Sequence, residues 1–421
     1  MLENLNSVKF LSMNKIAEAY VKLVLKIGLY DPDYIDAYYG PEEWRPKSKA
    51  SRSFPYAELN KKATNLLVDL NQIDSTLLSD FERLRLDYLE KHLKSAKAKI
   101  ELLNGNKFAF DEECHALYDA TAQVYAAEYF ESKLEKLNSI LPGSGSISER
   151  FKNFSLDLIV PKERLESVFE KAVAECRKRT RENIELPENE NFRFEFVSNQ
   201  PWAAYNWYKG NSFSLIQVNA DFPFYIDSAI TLAAHEGYPG HHVNTTLQEQ
   251  KLKIELGWPE FSVFVLFSPY AVIYEGCANF SVDVVFPGDE RKEFELAEFL
   301  PLTNGSQSEA EKYYEIQKLR NELNTAETEA AREYLDGNWT RKQVKHWLGK
   351  YSLRSGEDTE AFVNFIERYR SYAVTYTVGE NLVRTYIKRN MGKTNRPEKR
   401  WQLFAQLLST PQTPSGIAGN G

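Results

Sequence analysis

The chain has 421 residues and a formal net charge of -8, and its 43% hydrophobic and 27% charged residues are ordinary for a soluble globular protein. The acidic balance argues against nucleic acid or an anionic membrane as a partner, and no segment reaches the roughly 18 apolar residues of a membrane span. Three widely spaced cysteines and an N-terminus without a signal-like apolar run predict a cytoplasmic protein without disulfides.

Residues 1–190 are predicted to form an N-terminal helical region. The stretch NKIAEAYVKLVLKIGLY has apolar residues at helical spacing and ends at a glycine. The turn-rich segment DPDYIDAYYGPEEW and long amphipathic stretches follow. Residues 141–150, LPGSGSISER, are linker-like and indicate either a domain boundary or a surface loop. Another helix is expected from Pro161 onwards.

Residues 191–421 are predicted to form a second region. Within residues 191–220, the runs FRFEFVS, PWAAYNWY and NSFSLIQVNA predict a small antiparallel meander with a hairpin turn at Lys209-Gly210-Asn211. Helices are expected at 227–286 and 305–410, whereas the Pro/Gly/Ser-rich tail is expected to fray. The predicted fold class is therefore mainly α, with one small antiparallel sheet before a histidine-rich segment.

That segment, TLAAHEGYPGHHVNTT, holds three of the six histidines. In the zinc-protease pattern HExxH, two histidines four residues apart share one helix face and bind one metal ion. Here Pro239 takes the second position, and His241 and His242 would lie about 9 and 10.5 Å from His235 along a straight helix. Because proline breaks helices and glycine permits unusual backbone angles, Pro239-Gly240 is predicted to fold the chain back and bring a following histidine to the metal.

A third ligand is predicted in FSPYAVIYEGCANFSVDVVFP. Pro269 suits the first turn of a helix, and Glu275 has no charged neighbour in this stretch before Asp283. A carboxylate in so apolar a helix needs a partner, and zinc is a suitable one. Asn279 and Asp283 follow on the same face and could orient the histidines. The alternative is a helix with one face on a solvated cleft.

These motifs resemble those of a large bacterial family catalogued as a domain of unknown function, whose members look like zincin-type metallopeptidases with HExxPGHH and a downstream EGxA. Similarity in GLYDPDYIDAYYGPEEW, SLIQVNADFP and RYRSYAVTYTVGENLV extends the resemblance over nearly the whole chain. It implies a helical, zincin-like (gluzincin-type) fold distantly similar to thimet oligopeptidase and carboxypeptidase Taq. By this resemblance the site residues are the metal ligands His235, His241 and Glu275, the catalytic Glu236, and His242 as second choice for a ligand.

Further substrate-binding groups are predicted near the C-terminus. The resemblance makes Tyr376 a candidate oxyanion donor with Tyr372 behind it, although the family's Pro-Gly-Gln element is replaced here by RSYAVTYTVG. Arg368, Arg370 and Arg384 are candidates for a substrate carboxylate or for surface ion pairs. The strand SLIQVNA could pair with an extended peptide.

The predicted function is a zinc-dependent hydrolase, a peptidase acting on a peptide or small amide, with Glu236 as general base. Three alternatives stay open. Two histidines and a carboxylate also form non-haem iron sites. A non-catalytic helical protein could hold a structural zinc, with His242 as fourth ligand. The substrate could be a non-peptide amide. The patterns do not specify exo- or endopeptidase action, the native metal or the oligomeric state.

Overall fold

The structure is a computed structural model that describes residues 2–200, 202–354, 356–392 and 396–419. Helices dominate it, as predicted, and five short strands are present in the described ranges. The strands are β1 Ile35–Tyr38, β2 Asn191–Val197, β3 Ala204–Tyr208, β4 Phe213–Asn219 and β5 Val263–Val265. The α-helices are α1 Leu2–Ile27, α2 Tyr56–Asn71, α3 Asp80–Leu103, α4 Phe110–Tyr118, α5 Ala127–Ile140, α6 Ile147–Ser155, α7 Leu165–Arg181, α8 Ser228–Leu232, α9 His241–Gln248, α10 Pro269–Val285, α11 Glu290–Glu298, α12 Gln307–Asn321, α13 Thr325–Leu335, α14 Arg341–Tyr351, α15 Gly356–Tyr369, α16 Val374–Met391, α17 Pro397–Ser409 and α18 Pro414–Ala418.

Local sequence signals account for many helix ends. Ser79, Ser146 and Ser306 each form a capping box with the glutamate three residues later, at the starts of α3, α6 and α12. Helix α1 ends just before Gly28, and Pro269 opens α10, as the sequence predicted. Within the described ranges, no helix combines the length and apolar character needed to cross a bilayer.

The sheet before the histidine-rich segment differs from the predicted meander. Strands β3 and β4 form the expected antiparallel hairpin around Gly210, but β2 pairs with β4 in parallel, so the strand order is β2-β4-β3. The connection between β2 and β3 explains the difference. After β2 the chain crosses the end of β4 and forms β3 on the opposite side of β4. The predicted strand residue Pro201 lies outside the described residues.

A second, two-stranded sheet joins distant parts of the chain. The segment predicted to be only turn-rich contains β1, which pairs antiparallel with β5, more than two hundred residues later. The tail was also predicted wrongly, because Pro414–Ala418 form α18 and the side chain of Ile417 is buried. Residues 420 and 421 lie outside the described residues.

Two apolar cores hold the helices together. One combines residues 13–122 with residues 263–374, and the other combines residues 88–186 with residues 216–417. Both cores therefore draw on both predicted regions, and the division at residue 190 stays a prediction.

Helices α10 and α16 cross at a pair of glycines. A Cβ added at Gly379 would lie 3.0 Å from the Cα of Gly276, and closer still to the carbonyl oxygen of Val272. Only residues without a side chain allow the two backbones to approach this closely. The crossing fixes the position of Glu275, on α10, relative to Tyr376, on α16.

Candidate functional site

The helix break predicted at Pro239-Gly240 is confirmed. Helix α8 continues as a π-helical turn, Ala233–Gly237, and then stops because Tyr238 is extended. Helix α9 starts at His241, its first residue. A side chain at Gly240 would overlap the carbonyl oxygen of His235, so glycine lets the chain fold back against the end of the preceding helix. This return places His241 beside His235.

Three of the predicted ligands converge. One ligand atom from each of His235, His241 and Glu275 lies within 4.8 Å of the other two. The Oε2 atom of Glu275 lies 3.6 Å from Nε2 of His235 and 3.7 Å from Nε2 of His241. The two imidazole rings are nearly perpendicular, with centroids 4.6 Å apart. Ligands about 2.0–2.2 Å from a tetrahedral zinc ion are separated by roughly 3.4 Å, so this spacing suits one ion.

The fourth predicted ligand candidate, His242, lies elsewhere. Its Nδ1 is 2.8 Å from the hydroxyl of Ser214, and its Nε2 is 3.0 Å from Oε1 of Glu190. The ring is fully buried and makes edge contacts with Phe192 and Tyr238. Both ring nitrogens therefore have partners in the protein, and His242 serves to pack α9 against the sheet.

The protonation states of His235 and Glu275 suit metal binding. Burial alone would lower the pKa of His241, but the hydrogen bond and charge of Glu275 outweigh the effect of burial and raise that pKa. Burial lowers the pKa of His235 to about 4, and the neighbouring His241 adds to this effect. Burial opposes ionisation of Glu275, but the two histidines hold its pKa below the usual value. Its Oε2 is buried and has no hydrogen-bond partner among the described residues. A neutral histidine and an ionised carboxylate are the forms that bind a metal ion.

Glu236 is buried next to this cluster. Its side chain is 6% exposed, and burial raises its pKa to about 7, with Glu275 adding to the rise and His241 opposing it. The amide Nδ2 of Asn206, on β3, donates to the backbone carbonyl of Glu236 at 2.7 Å. The sheet therefore fixes the turn that carries Glu236. A carboxylate whose pKa is close to neutral suits general-base work, and a bound cation would lower that pKa.

Two tyrosines from the C-terminal part complete the site. The hydroxyl of Tyr372 donates to Oε1 of Glu275 at 3.1 Å. Tyr376 is 39% exposed and contacts the Tyr372 ring edge-on. Its pKa is raised, first by desolvation of the hydroxyl and then by the charges of Glu275 and Glu236. The turn before them is held by buried Glu113 of α4, which accepts from Arg370 at 2.8 Å and from the Ser371 hydroxyl at 2.6 Å.

Several other predicted groups do not face the cluster. Asp283 pairs with Arg384 at the surface rather than orienting a histidine, whereas Asn279 is within hydrogen-bonding reach of His235, as predicted. Arg368 pairs with Asp33, so all three predicted arginines are in ion pairs. The strand SLIQVNA is β4, which has a neighbour on each side and no free edge for a peptide. That part of the prediction is wrong.

Sequence reasoning missed Tyr274 and Asp36 at the site. Tyr274 stacks on the His241 ring with centroids 3.9 Å apart. Asp36, on β1, accepts a hydrogen bond from Tyr205 of β3, and its charge acts on His241 and Glu275. The single carboxylate in the run YIDAYY was a signal, because an acidic residue among strand-forming aromatic residues is unusual.

We expect Glu190→Gln to weaken the dependence of the free energy of unfolding on pH in the acidic range. Burial alone would raise the pKa of Glu190, but hydrogen bonds from His242 and Tyr238 outweigh it and lower the pKa to about 2. The resulting stabilisation is complete above the unfolded-state pKa of about 4.5 and is lost as the pH falls towards 2. Urea unfolding between pH 2.5 and 7 should show a loss on the order of 2 kcal/mol in the variant at neutral pH, shrinking as the pH falls.

The exposed Glu188 provides a matched control for this experiment. Glu188→Gln should reproduce the wild-type pH profile. Parallel profiles for wild type and Glu190→Gln would contradict the assignment of this acid sensitivity to Glu190.

Comparisons with known proteins bear on the fold alone. No protein-family profile and no curated protein matches the chain. A structure described as a "putative lipoprotein" from Colwellia psychrerythraea matches with a TM-score of 0.52 and 14% identity, over 87% of this chain and 68% of that chain. A second, described as a "putative lipoprotein of unknown function" from Shewanella oneidensis, matches with a TM-score of 0.43 and 13% identity, over 84% of this chain and 72% of that chain.

These findings correct the family assignment made from the motifs. No family profile matches, and the neighbour with a TM-score of 0.52 is described as a "putative lipoprotein" rather than as a peptidase. Short motifs, even in several parts of the chain, report the local chemistry that their residues share, and they do not establish descent for a chain of 421 residues. The geometry of His235, His241 and Glu275 is independent of that assignment.

Proposed function

We propose that the protein is a zinc-dependent hydrolase that cleaves peptide bonds. The observation that carries this proposal is the convergence of His235, His241 and Glu275 within 4.8 Å, with buried Glu236 next to them. The donor set of two imidazoles and one carboxylate fits zinc and leaves one position for water or substrate. The Oε2 atom of Glu275 is buried without a hydrogen-bond partner among the described residues, which is a further reason to place a cation there.

The chain's own residues supply the rest of the chemistry. A zinc ion held by the three ligands would polarise a substrate carbonyl and acidify water. The carboxylate of Glu236 would take a proton from the attacking water and deliver it to the leaving amine. Tyr372 holds Oε1 of Glu275 and so fixes its orientation. The hydroxyl of Tyr376 would donate to the oxyanion that develops on the substrate.

Strand β3 is the better candidate for binding an extended peptide. It lies at the edge of the three-stranded sheet, and its Asn206 contacts the backbone of Glu236. A peptide added to this edge would lie beside the cluster, with its backbone hydrogen-bonded to β3. The exposed Trp207 offers an apolar contact along the strand.

The alternatives have less support. A structural zinc needs four protein ligands, and His242, the candidate for the fourth, has both nitrogens engaged by Ser214 and Glu190. A non-haem iron site would give the buried Glu236 no role.

A zincin-like arrangement of the metal helices is part of the proposal. The cytoplasmic location stays a prediction, because the Colwellia psychrerythraea protein described as a "putative lipoprotein" shares only the fold with this chain.

Mass-spectrometric profiling of a mixed peptide library tests the proposal. We expect zinc-loaded protein to cleave peptides, cleavage to stop on chelation and to return with added zinc. Glu275→Gln should bind zinc more weakly and lose cleavage, whereas the exposed Glu182→Gln should match wild type. A folded protein that holds one zinc ion per chain and cleaves no peptide would overturn the proposal.

We expect Tyr372→Phe to weaken zinc binding about 10- to 100-fold, because loss of a hydrogen bond to a ligating carboxylate frees its orientation. Competition with a chromogenic zinc chelator measures the affinity. Tyr376→Phe is the matched control and should leave the affinity unchanged, since Asn279 donates to the carbonyl of Tyr376 and the Tyr376 hydroxyl has no hydrogen-bond partner among the described residues. Equal affinities in all three proteins would contradict the role assigned to Tyr372.

A further inference from the structure

A small pocket adjoins the metal-ligand cluster and contains a carboxylate that the proposed reaction does not use. The pocket has a volume of about 20 Å³, which is the room that one water-sized group needs. Its lining includes Asp36, Asn206, Thr245, Gln248 and Tyr274, and we call these five residues the Asp36 pocket. Tyr274 stacks on the ligand His241, and Asn206 holds the carbonyl of Glu236. Tyr274 and Asn206 therefore connect the pocket to the ligand candidate His241 and to the backbone of Glu236.

The Asp36 pocket presents hydrogen-bond acceptors. The Nδ2 of Asn206 donates to the carbonyl of Glu236, which fixes the orientation of the amide. The other amide atom, Oδ1, is buried and has no partner among the described residues. Asp36 accepts one hydrogen bond, from Tyr205, and a carboxylate has room for more. Two acceptors in a space of this size suit a compact group with several N–H donors.

The positive group that acts on Asp36 is a metal-ligand candidate, His241. No lysine or arginine in the described ranges forms an ion pair with Asp36. Glu236 and Glu275 are the other carboxylates that act on the same side chains, such as Tyr274. Burial raises the pKa of Asp36, whereas an ammonium group beside it would favour the ionised carboxylate. A partly buried carboxylate without a cation is costly, so an arriving positive charge would be bound favourably.

We propose that the Asp36 pocket binds the ammonium group of the substrate, so that Asp36 selects substrates with a positive charge next to the scissile bond. This inference rests on the proposed hydrolase function. The ammonium group has three N–H donors and the size of a water molecule, which match the acceptors and the volume of the pocket. It belongs either to the free N-terminus of a peptide or to a lysine side chain.

Calorimetric binding to zinc-loaded Glu236→Gln protein tests the proposal without requiring turnover. Three short peptides that are identical after the first residue serve as probes: one begins with norleucine and a free N-terminus, one with acetylated norleucine, and one with acetylated lysine. We expect at least one ammonium-bearing peptide to bind about tenfold or more tightly than the acetylated norleucine peptide. A preference for the first peptide identifies the N-terminus, and a preference for the third identifies a lysine side chain. Equal affinities for all three would overturn the proposal.

The variant Asp36→Asn, combined with Glu236→Gln, separates recognition from a structural role. Asparagine at position 36 still accepts the hydrogen bond from Tyr205 but carries no charge. We therefore expect the tighter binding of the ammonium-bearing peptide to disappear, while the affinity for the acetylated norleucine peptide stays the same. An equal loss of affinity for all three peptides would assign Asp36 to the support of Tyr205 and overturn the proposal. If the variant does not fold, the comparison of the three peptides on Glu236→Gln still decides. Library cleavage reports separately on the proposed hydrolase function, so failure of one proposal is distinguishable from failure of the other.

Discussion

Glu236→Gln is expected to lower kcat by about 10² to 10⁴-fold while one zinc ion stays bound per chain. Glutamine keeps the size of the side chain but cannot accept the proton of the attacking water. The substitution leaves His235, His241 and Glu275 unchanged, and removal of a buried carboxylate should not reduce stability. Steady-state kinetics on a peptide identified from the library, together with zinc content by mass spectrometry, measure both effects.

Two results would contradict this expectation. A variant that loses its zinc would make Glu236 a ligand rather than a base. A variant with wild-type kcat would remove Glu236 from the reaction, and another group would then have to accept the proton. The exposed Glu182→Gln serves as the matched control and should retain wild-type kcat and zinc content.

The second large effect is expected at the crossing of α10 and α16, where Gly379→Ala should lower the free energy of unfolding by about 3 kcal/mol or more. The new methyl group would overlap the backbone at Gly276 and Val272, and backbone atoms yield less than a flexible side chain. Separation of the helices would also move Tyr372 away from Glu275. Urea unfolding measures the first effect, and zinc affinity measures the second.

Gly349→Ala is the control for this substitution. Gly349 lies in α14, and an added Cβ would make only an ordinary contact, 3.7 Å from the carbonyl oxygen of Arg354. Because alanine favours a helix over glycine by up to about 1 kcal/mol, this variant should be as stable as wild type or more so. A Gly379→Ala protein of wild-type stability would contradict the close packing of the two helices.

The local features of the site were predictable from the sequence. The break at Pro239-Gly240 follows from backbone chemistry, and the choice of Glu275 follows from the cost of an isolated carboxylate in an apolar helix. Spacing alone did not separate His241 from His242. Adjacent residues at the start of a helix point in directions about 100° apart, and only the packing of α9 on β4 determines which one faces Glu275.

The remaining features depend on contacts between distant parts of the chain. Asp36 reaches the cluster because β1 pairs with β5, and the parallel pairing of β2 with β4 reverses the meander that adjacent strands normally form. Pairing partners separated by many residues leave no periodic signal in the sequence. Glu190 was missed for the same reason, since its partner His242 is 52 residues away.

The interleaving of the two cores has a consequence for synthesis on the ribosome. Residues 13–122 share a core with residues 263–374, so the early helices leave the exit tunnel roughly 140 residues before their partners. At 5–20 residues per second, the nascent chain would expose that apolar surface for about 7–28 s. Holding chaperones that bind exposed apolar segments would then matter most during the middle of translation, before β5 and α10 are available to cover it.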